Sequence, residues 1–131
     1  MKKPNLKKAL LLFAILFSLN VKSQLSSSCY YRETCFWNKY TEKFDACSGY
    51  NERGLFEINE NQTMIVHTIN NITSTYYVKT REYEEETQTL SLNVVSDVGN
   101  KYIIIFDAKN LLVKFLRNDS ALVLFYVKSA F

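Results

Sequence analysis

The chain has 131 residues, of which 16 are Lys or Arg and 13 are Asp or Glu, so its formal net charge is +3. Five lysines lie within residues 1–23, which leaves 11 basic against 13 acidic residues in the remainder. A nucleic-acid partner requires clustered positive charge, and this balance excludes that class of function. Residues 24–131 are enough for one domain with a single modest core.

Residues 1–23 have the organisation of a secretory signal peptide. Lysines stand near the start, residues 9–19 are uncharged and mostly apolar, and Val21 and Ser23 occupy the −3 and −1 positions before Gln24. The apolar run is too short for a transmembrane helix, which needs roughly 20 residues. We therefore expect cleavage before Gln24, export to the periplasm or the medium, and one mature domain over residues 24–131.

The three cysteines are Cys29, Cys35 and Cys47. An exported chain meets an oxidising compartment, where disulfides form and persist. Cys35 and Cys47 are placed symmetrically about Thr41, so a hairpin centred there would bring their Cβ atoms within bonding range. The sequence predicts a Cys35–Cys47 disulfide, and Cys29–Cys47 is the rival pairing.

The rest of the chain consists of short alternating segments separated by turn residues. No helical period occurs after residue 23, and short connections force neighbouring strands to run antiparallel. The predicted fold is all-β: an antiparallel meander of about eight or nine strands that closes into a small barrel or folds into a two-layer sheet. The predicted strands cover residues 30–37, 44–47, 55–58, 63–69, 74–83, 89–95, 101–106, 111–116 and 121–127.

One stretch carries a resemblance to a known family. Cys47 is followed by an apolar-aromatic strand with Phe56 and by a tight turn with Asn59 and Thr63, and the chain ends in the apolar strand 122–126. This arrangement resembles the bacterial lipocalin-like domains, and the whole chain is similar to small secreted proteins of flavobacteria. The lipocalin-like resemblance implies a small calycin-like barrel.

Aromatic side chains are concentrated in the first predicted hairpin. Phe36, Trp37, Tyr40 and Tyr50 are the candidates for the mouth of a binding site for an apolar or sugar ligand. The alternative interpretation is that these rings pack the hairpin onto the core.

The sequence indicates no catalytic, cofactor or metal site. His67 is the only histidine, whereas a zinc site needs three or four ligands and a hydrolase nucleophile needs a base beside it. We interpret His67 as a core or interface histidine, and the carboxylates of residues 82–86 as a solvated turn. The chain is therefore predicted not to be an enzyme.

The leading functional hypothesis is a non-catalytic binding or interaction module of the bacterial envelope or medium, with an unknown envelope protein as partner. The alternative is a carrier of a small apolar ligand inside the barrel, which a cavity of roughly 300 Å³ or more would favour. The third is a small outer-membrane barrel. Most predicted strands have six or seven residues, whereas a transmembrane strand needs about 9–11, so membrane association is not expected.

Overall fold

The computed structural model describes residues 25–117 and 120–128, and in this part of the chain it is all-β. The predicted signal peptide and its cleavage before Gln24 lie outside the described residues. Eight strands form one closed barrel. They are β1 Leu25–Asn38, β2 Lys43–Ile58, β3 Met64–Ile69, β4 Ile72–Glu84, β5 Thr89–Ser96, β6 Lys101–Asp107, β7 Leu112–Arg117 and β8 Ala121–Val127.

Every strand pairs antiparallel with the next one along the chain, and β8 pairs with β1 to close the barrel. The predicted antiparallel meander is therefore confirmed in its closed, single-sheet form. Closure removes the exposed edges that a flat sheet of this size would present. Alternate residues of each strand face the interior and the solvent, except where register shifts in the β1–β2, β1–β8 and β4–β5 ladders interrupt the alternation.

Two predicted strands are in fact one. Segments 44–47 and 55–58 belong to the single strand β2, which pairs with β1 along most of its length. Gly49 lies within this strand and permits a close approach to β1: a Cβ there would lie 2.6 Å from both the Arg32 carbonyl oxygen and the Tyr31 hydroxyl. The expectation that most strands have six or seven residues also needs correction, since β1, β2 and β4 have 14, 16 and 13 residues.

The Cys35–Cys47 disulfide is present, with the two Cα atoms 4.1 Å apart. The turn itself is not centred on Thr41, because Asn38 pairs with Lys43 and Phe36 with Asp45. A bulge at Ala46, which has a positive φ of 54°, inserts one residue into β2. Beyond the bulge the pairing becomes symmetric about Thr41, and this places Cys35 beside Cys47.

Apolar side chains fill the interior on the inward-facing positions. In β8 these are Ala121, Val123, Phe125 and Val127, all buried. The largest fully buried side chains lie on other strands and include Phe56, Ile65, Ile104 and Phe106. The free cysteine, Cys29, is also part of this core.

The two ends of the barrel carry different connections. The end that we call the cavity end holds the β1–β2, β3–β4, β5–β6 and β7–β8 connections, and the end that we call the far end holds the other three. At the far end, Asn59 Oδ1 accepts hydrogen bonds from the backbone N–H groups of Thr63 and Met64, at 2.9 and 3.0 Å. The tight Asn–Thr turn predicted from the sequence is thus built by one side chain.

The β1–β2 hairpin extends past the rest of the barrel at the cavity end. β2 pairs with β3 only from Gly54 onward, and β1 pairs with β8 only as far as Phe36. Residues 43–53 of β2 therefore have β1 as their only strand neighbour among the described residues. We call the part of the hairpin formed by residues 34–53 the overhang.

Candidate functional site

A cavity of about 240 Å³ opens at the cavity end of the barrel. It is the site in the described chain where polar and aromatic side chains converge on the interior. Its polar residues are Arg32, His67, Ser74 and Arg117, and its apolar floor and walls include Ile69, Val123 and Phe125. The cavity lies where the inward positions change from mostly apolar residues to a mixture of polar and aromatic ones.

One wall of the cavity is aromatic. Tyr76 of β4, Tyr102 of β6 and Phe115 of β7 lie on inward positions of strands on the same side of the barrel. Their ring centroids are 5.8 Å apart for Tyr76 and Tyr102, 5.3 Å for Tyr76 and Phe115, and 4.8 Å for Tyr102 and Phe115. Burial raises the pKa of the Tyr76 hydroxyl, so this group is uncharged near pH 7.

Arg32 approaches the cavity from β1. Its β8 partner in the ladder is Phe125, and the guanidinium carbon lies 5.6 Å from the centroid of that ring. Arg32 Nη1 donates to Glu52 Oε1 at 3.4 Å, and the Tyr50 hydroxyl donates to the other oxygen of Glu52 at 3.4 Å. Arg32 Nε is buried and has no hydrogen-bond partner among the described residues.

His67 lies at the inner boundary of the cavity and is 7% exposed. Its ring stacks on Phe56 with centroids 4.0 Å apart and meets Phe125 edge-on at 4.9 Å. Burial first, and the positive charge of Arg32 second, lower the pKa of His67 to about 4, so the imidazole is neutral near pH 7. The His67 Nε2 atom is buried without a hydrogen-bond partner in the described part of the chain.

Gly54 creates the space beside the imidazole. A Cβ at this position would lie 3.4 Å from His67 Nε2 and 3.4 Å from the Thr68 carbonyl oxygen. Gly54 pairs with Ile69, one inward position closer to the cavity end than His67. On the side that faces β2, the His67 Nε2 atom therefore lies against backbone and not against a side chain.

The charges around the cavity are unbalanced. Arg117 is exposed and has no ion pair among the described residues, while Arg32 is paired with Glu52. With His67 neutral, the side chains that line the cavity include two guanidinium groups and no carboxylate, although the carboxylates of Glu52 and Asp97 act on Arg32 and Tyr76 from outside the lining. The positive lining favours an anion over a cation, and the aromatic wall offers apolar contact to an organic body.

The predicted mouth residues occupy the overhang. Phe36, Trp37 and Tyr40 line a shallow groove at its tip, where Trp37 packs edge-on against Phe44 with centroids 5.2 Å apart. Tyr50 also belongs to the overhang but lies away from its tip, opposite Arg32 in the β1–β2 ladder. None of the four is among the residues that line the cavity, and their role in binding stays a prediction.

Sequence reasoning missed the residues that form the cavity. Arg117 follows the inward-facing residues Val113 and Phe115 at the same two-residue spacing. A charged residue at an expected inward position could therefore have indicated the cavity. The position of Arg32 could not be read in this way, because the register of β1 shifts between Cys29 and Tyr31. Odd-numbered residues of β1 therefore face the interior before the shift and the outside after it.

The described residues contain no group of three or more His, Cys, Asp or Glu side chains placed to hold a metal ion. No helix in the described ranges is long and apolar enough to cross a membrane. No protein family, curated protein or solved structure matches the chain.

Proposed function

We propose that the protein is a non-catalytic binding protein that holds a small organic ligand in the cavity at the end of its barrel. The observation that carries this proposal is the cavity itself, which combines an aromatic wall with convergent polar groups. Ligand sites are concave, largely apolar and equipped with a few oriented polar groups, and the mouths of β-barrels are frequent locations for them. The geometry therefore supports ligand carriage more directly than it supports any other activity.

The cavity volume limits the ligand. At about 240 Å³ it does not reach the roughly 300 Å³ that would favour carriage by volume, so the proposal rests on the lining of the cavity and is limited to a ligand smaller than drug size. Liquid water takes about 30 Å³ per molecule, so the cavity has the volume of about eight waters. A compact ligand with a single ring or a short chain fits this space.

Two observations support the non-catalytic part of the proposal. A nucleophile needs an adjacent base that takes up its proton, whereas the pKa of about 4 makes His67 a weak base. Burial raises the pKa of the Cys29 thiol to about 12, so the reactive thiolate is not populated at neutral pH.

We further propose that the chain acts outside the cytoplasm, after removal of residues 1–23. The Cys35–Cys47 disulfide supports this location, because disulfides persist in oxidising compartments. Intact-mass measurement of the protein from periplasm or medium tests it. A mature chain that starts at Gln24 is the expected result, and a mass that retains residues 1–23 would refute it.

Ligand carriage is tested by blocking the cavity. Ser74 lines the cavity, whereas Thr75 precedes Tyr76 on the outward face of the same strand and pairs with Val66. We expect Ser74→Phe to abolish NMR shift changes caused by compact aromatic probes, and the matched Thr75→Phe variant to retain them. Equal responses in the two variants would show that the probes bind elsewhere.

A second candidate function rests on the outer face of β6–β8. Ile103, Leu116 and Leu122 lie side by side across the three strands, and in the next row Ile105 and Leu124 lie on either side of Lys114. All are partly exposed. This surface supports an interaction module in the envelope. We expect Leu124→Arg to abolish cross-linking to an envelope partner in cells without affecting ligand binding in the cavity; unchanged cross-linking would exclude this face.

A further inference from the structure

The cavity contains two buried polar atoms whose hydrogen-bonding capacity is not used. Arg32 Nε and His67 Nε2 have no partner among the described residues, and both side chains line the cavity. Both side chains also lie against the ring of Phe125, which brings them to the same part of the interior. Buried polar groups are normally hydrogen-bonded, and leaving one unsatisfied destabilises the folded protein.

The chemistry of the two atoms specifies what would satisfy them. A guanidinium Nε–H is always a donor, and a neutral imidazole donates from Nε2 in one of its two tautomers. A group that accepts from both must present oxygen lone pairs within one compact unit. Because the guanidinium carries a full positive charge, an anionic oxygen forms the stronger, charge-assisted bond.

Glu52 leaves this edge of Arg32 free. Its carboxylate takes the Nη1 donor of Arg32 through Oε1 and the Tyr50 hydroxyl through Oε2. The ion pair thus fixes the guanidinium in place without using Nε. Arg117, which lines the same cavity and has no ion pair in the described ranges, adds positive potential for an approaching anion.

We propose that the ligand is a compact carboxylic acid, whose carboxylate accepts hydrogen bonds from Arg32 Nε and His67 Nε2 and whose apolar body lies against Tyr76, Tyr102 and Phe115. This inference rests on the proposed function of the cavity and adds the chemical class of its ligand. A carboxylate suits the site better than a phosphate does. It needs few donors and carries one charge, while the remaining walls are aromatic or aliphatic.

The test compares phenylacetate with phenylacetamide, two probes of nearly the same shape of which only the first is charged. We expect the acid to bind about tenfold or more tightly than the amide in NMR or calorimetric titrations, since a hydrogen bond to a charged group contributes about 1.5–3 kcal/mol. Inorganic phosphate is titrated in parallel and should not compete with the acid.

Three variants assign this preference to Arg32. The double variant Arg32→Met/Glu52→Gln removes the guanidinium without leaving Glu52 unpaired, and it should bind acid and amide equally. Glu52→Gln alone leaves Arg32 unneutralised and should bind the acid more tightly than the wild type does. Lys109→Met removes an exposed cation from the far end and should change neither affinity.

The outcomes separate the two proposals. Equal binding of acid and amide by the wild-type protein would overturn the carboxylate inference while keeping ligand carriage. Competition by phosphate would also overturn the inference, in favour of a phosphate group. Absence of binding by both probes at millimolar concentration would overturn ligand carriage together with the inference.

Discussion

The far end and the cavity end of the barrel use the same strands for different purposes. At the far end, inward positions hold Ile58, Leu90 and Phe106, all buried and apolar, and an Asn side chain secures a tight turn. At the cavity end, the inward positions of the same sheet hold Arg32, His67 and other polar or aromatic groups. The difference indicates that the far half supplies stability, and that the cavity half contains polar groups that a core chosen for stability alone would not contain.

The strongest test of this comparison places the same charge in each half. Phe106→Asp buries a carboxylate in the apolar far half and should destabilise the fold by more than about 4 kcal/mol, enough to prevent folding. Phe125→Asp puts the carboxylate beside the Arg32 guanidinium, so its cost should be smaller. Circular dichroism during urea denaturation measures both. Equal loss of stability would show that the two halves do not differ.

The pH dependence of stability sharpens the comparison at His67. The folded-state pKa of about 4 lies below the usual 6.5, so between these values the unfolded chain binds the extra proton. The contribution of His67 to stability is therefore complete above pH 6.5 and falls by about 3 kcal/mol as the pH drops to 4. The charged groups on this side of the cavity are Arg32, which acts on His67, and its ion-pair partner Glu52.

Urea denaturation at several pH values measures this loss, and His67→Phe is the control because it keeps a ring between Phe56 and Phe125. The free energy of unfolding of the wild type should fall relative to that of the variant as the pH drops from 6.5 to 4. A constant difference across this range would contradict the lowered pKa.

The disulfide tests the contribution of the overhang. Its 12-residue separation closes a short loop, for which the chain-entropy model gives about 2–3 kcal/mol. We expect Cys35→Ser/Cys47→Ser to lower the urea midpoint by a corresponding amount while the far-UV spectrum of the barrel persists. An unchanged midpoint would mean that the β1–β2 pairing alone constrains the hairpin.

The smallest expected effect concerns Cys29. The thiol is 2% exposed and its pKa is raised to about 12, chiefly by burial, so it should not react with iodoacetamide in the folded protein at pH 8. Mass spectrometry after labelling should find modification only in urea. Labelling of the native protein would show that this part of the core opens.

Local patterns were sufficient to predict an antiparallel meander, but insufficient to choose between a barrel and a two-layer sheet or to predict the cavity. The alternation in β5, the apolar run of β8 and the turn at Asn59 identified strands and a connection, because each depends on neighbours in sequence. The cavity depends on bulges that reverse which residues face inward, as between Cys29 and Tyr31. The Cys35–Cys47 pair was predicted from a hairpin symmetric about Thr41. The prediction is correct because the bulge at Ala46 shifts the β1–β2 register by one residue and so makes the pairing beyond it symmetric about Thr41.

The closure of the barrel has a consequence for how the chain folds. Seven of the ladders join consecutive strands, but the eighth joins β1 to β8, and the bond from the Tyr126 hydroxyl to Glu33 Oε1 spans 93 positions. Contacts between such distant segments slow folding, because the chain loses conformational entropy in bringing its ends together before the contact contributes stabilising free energy. A chain that emerges from its N-terminus first must keep the edge of β1 unpaired until the final strand arrives. The edge of β1 is therefore open to aggregation until β8, the last strand with seven residues, pairs with it.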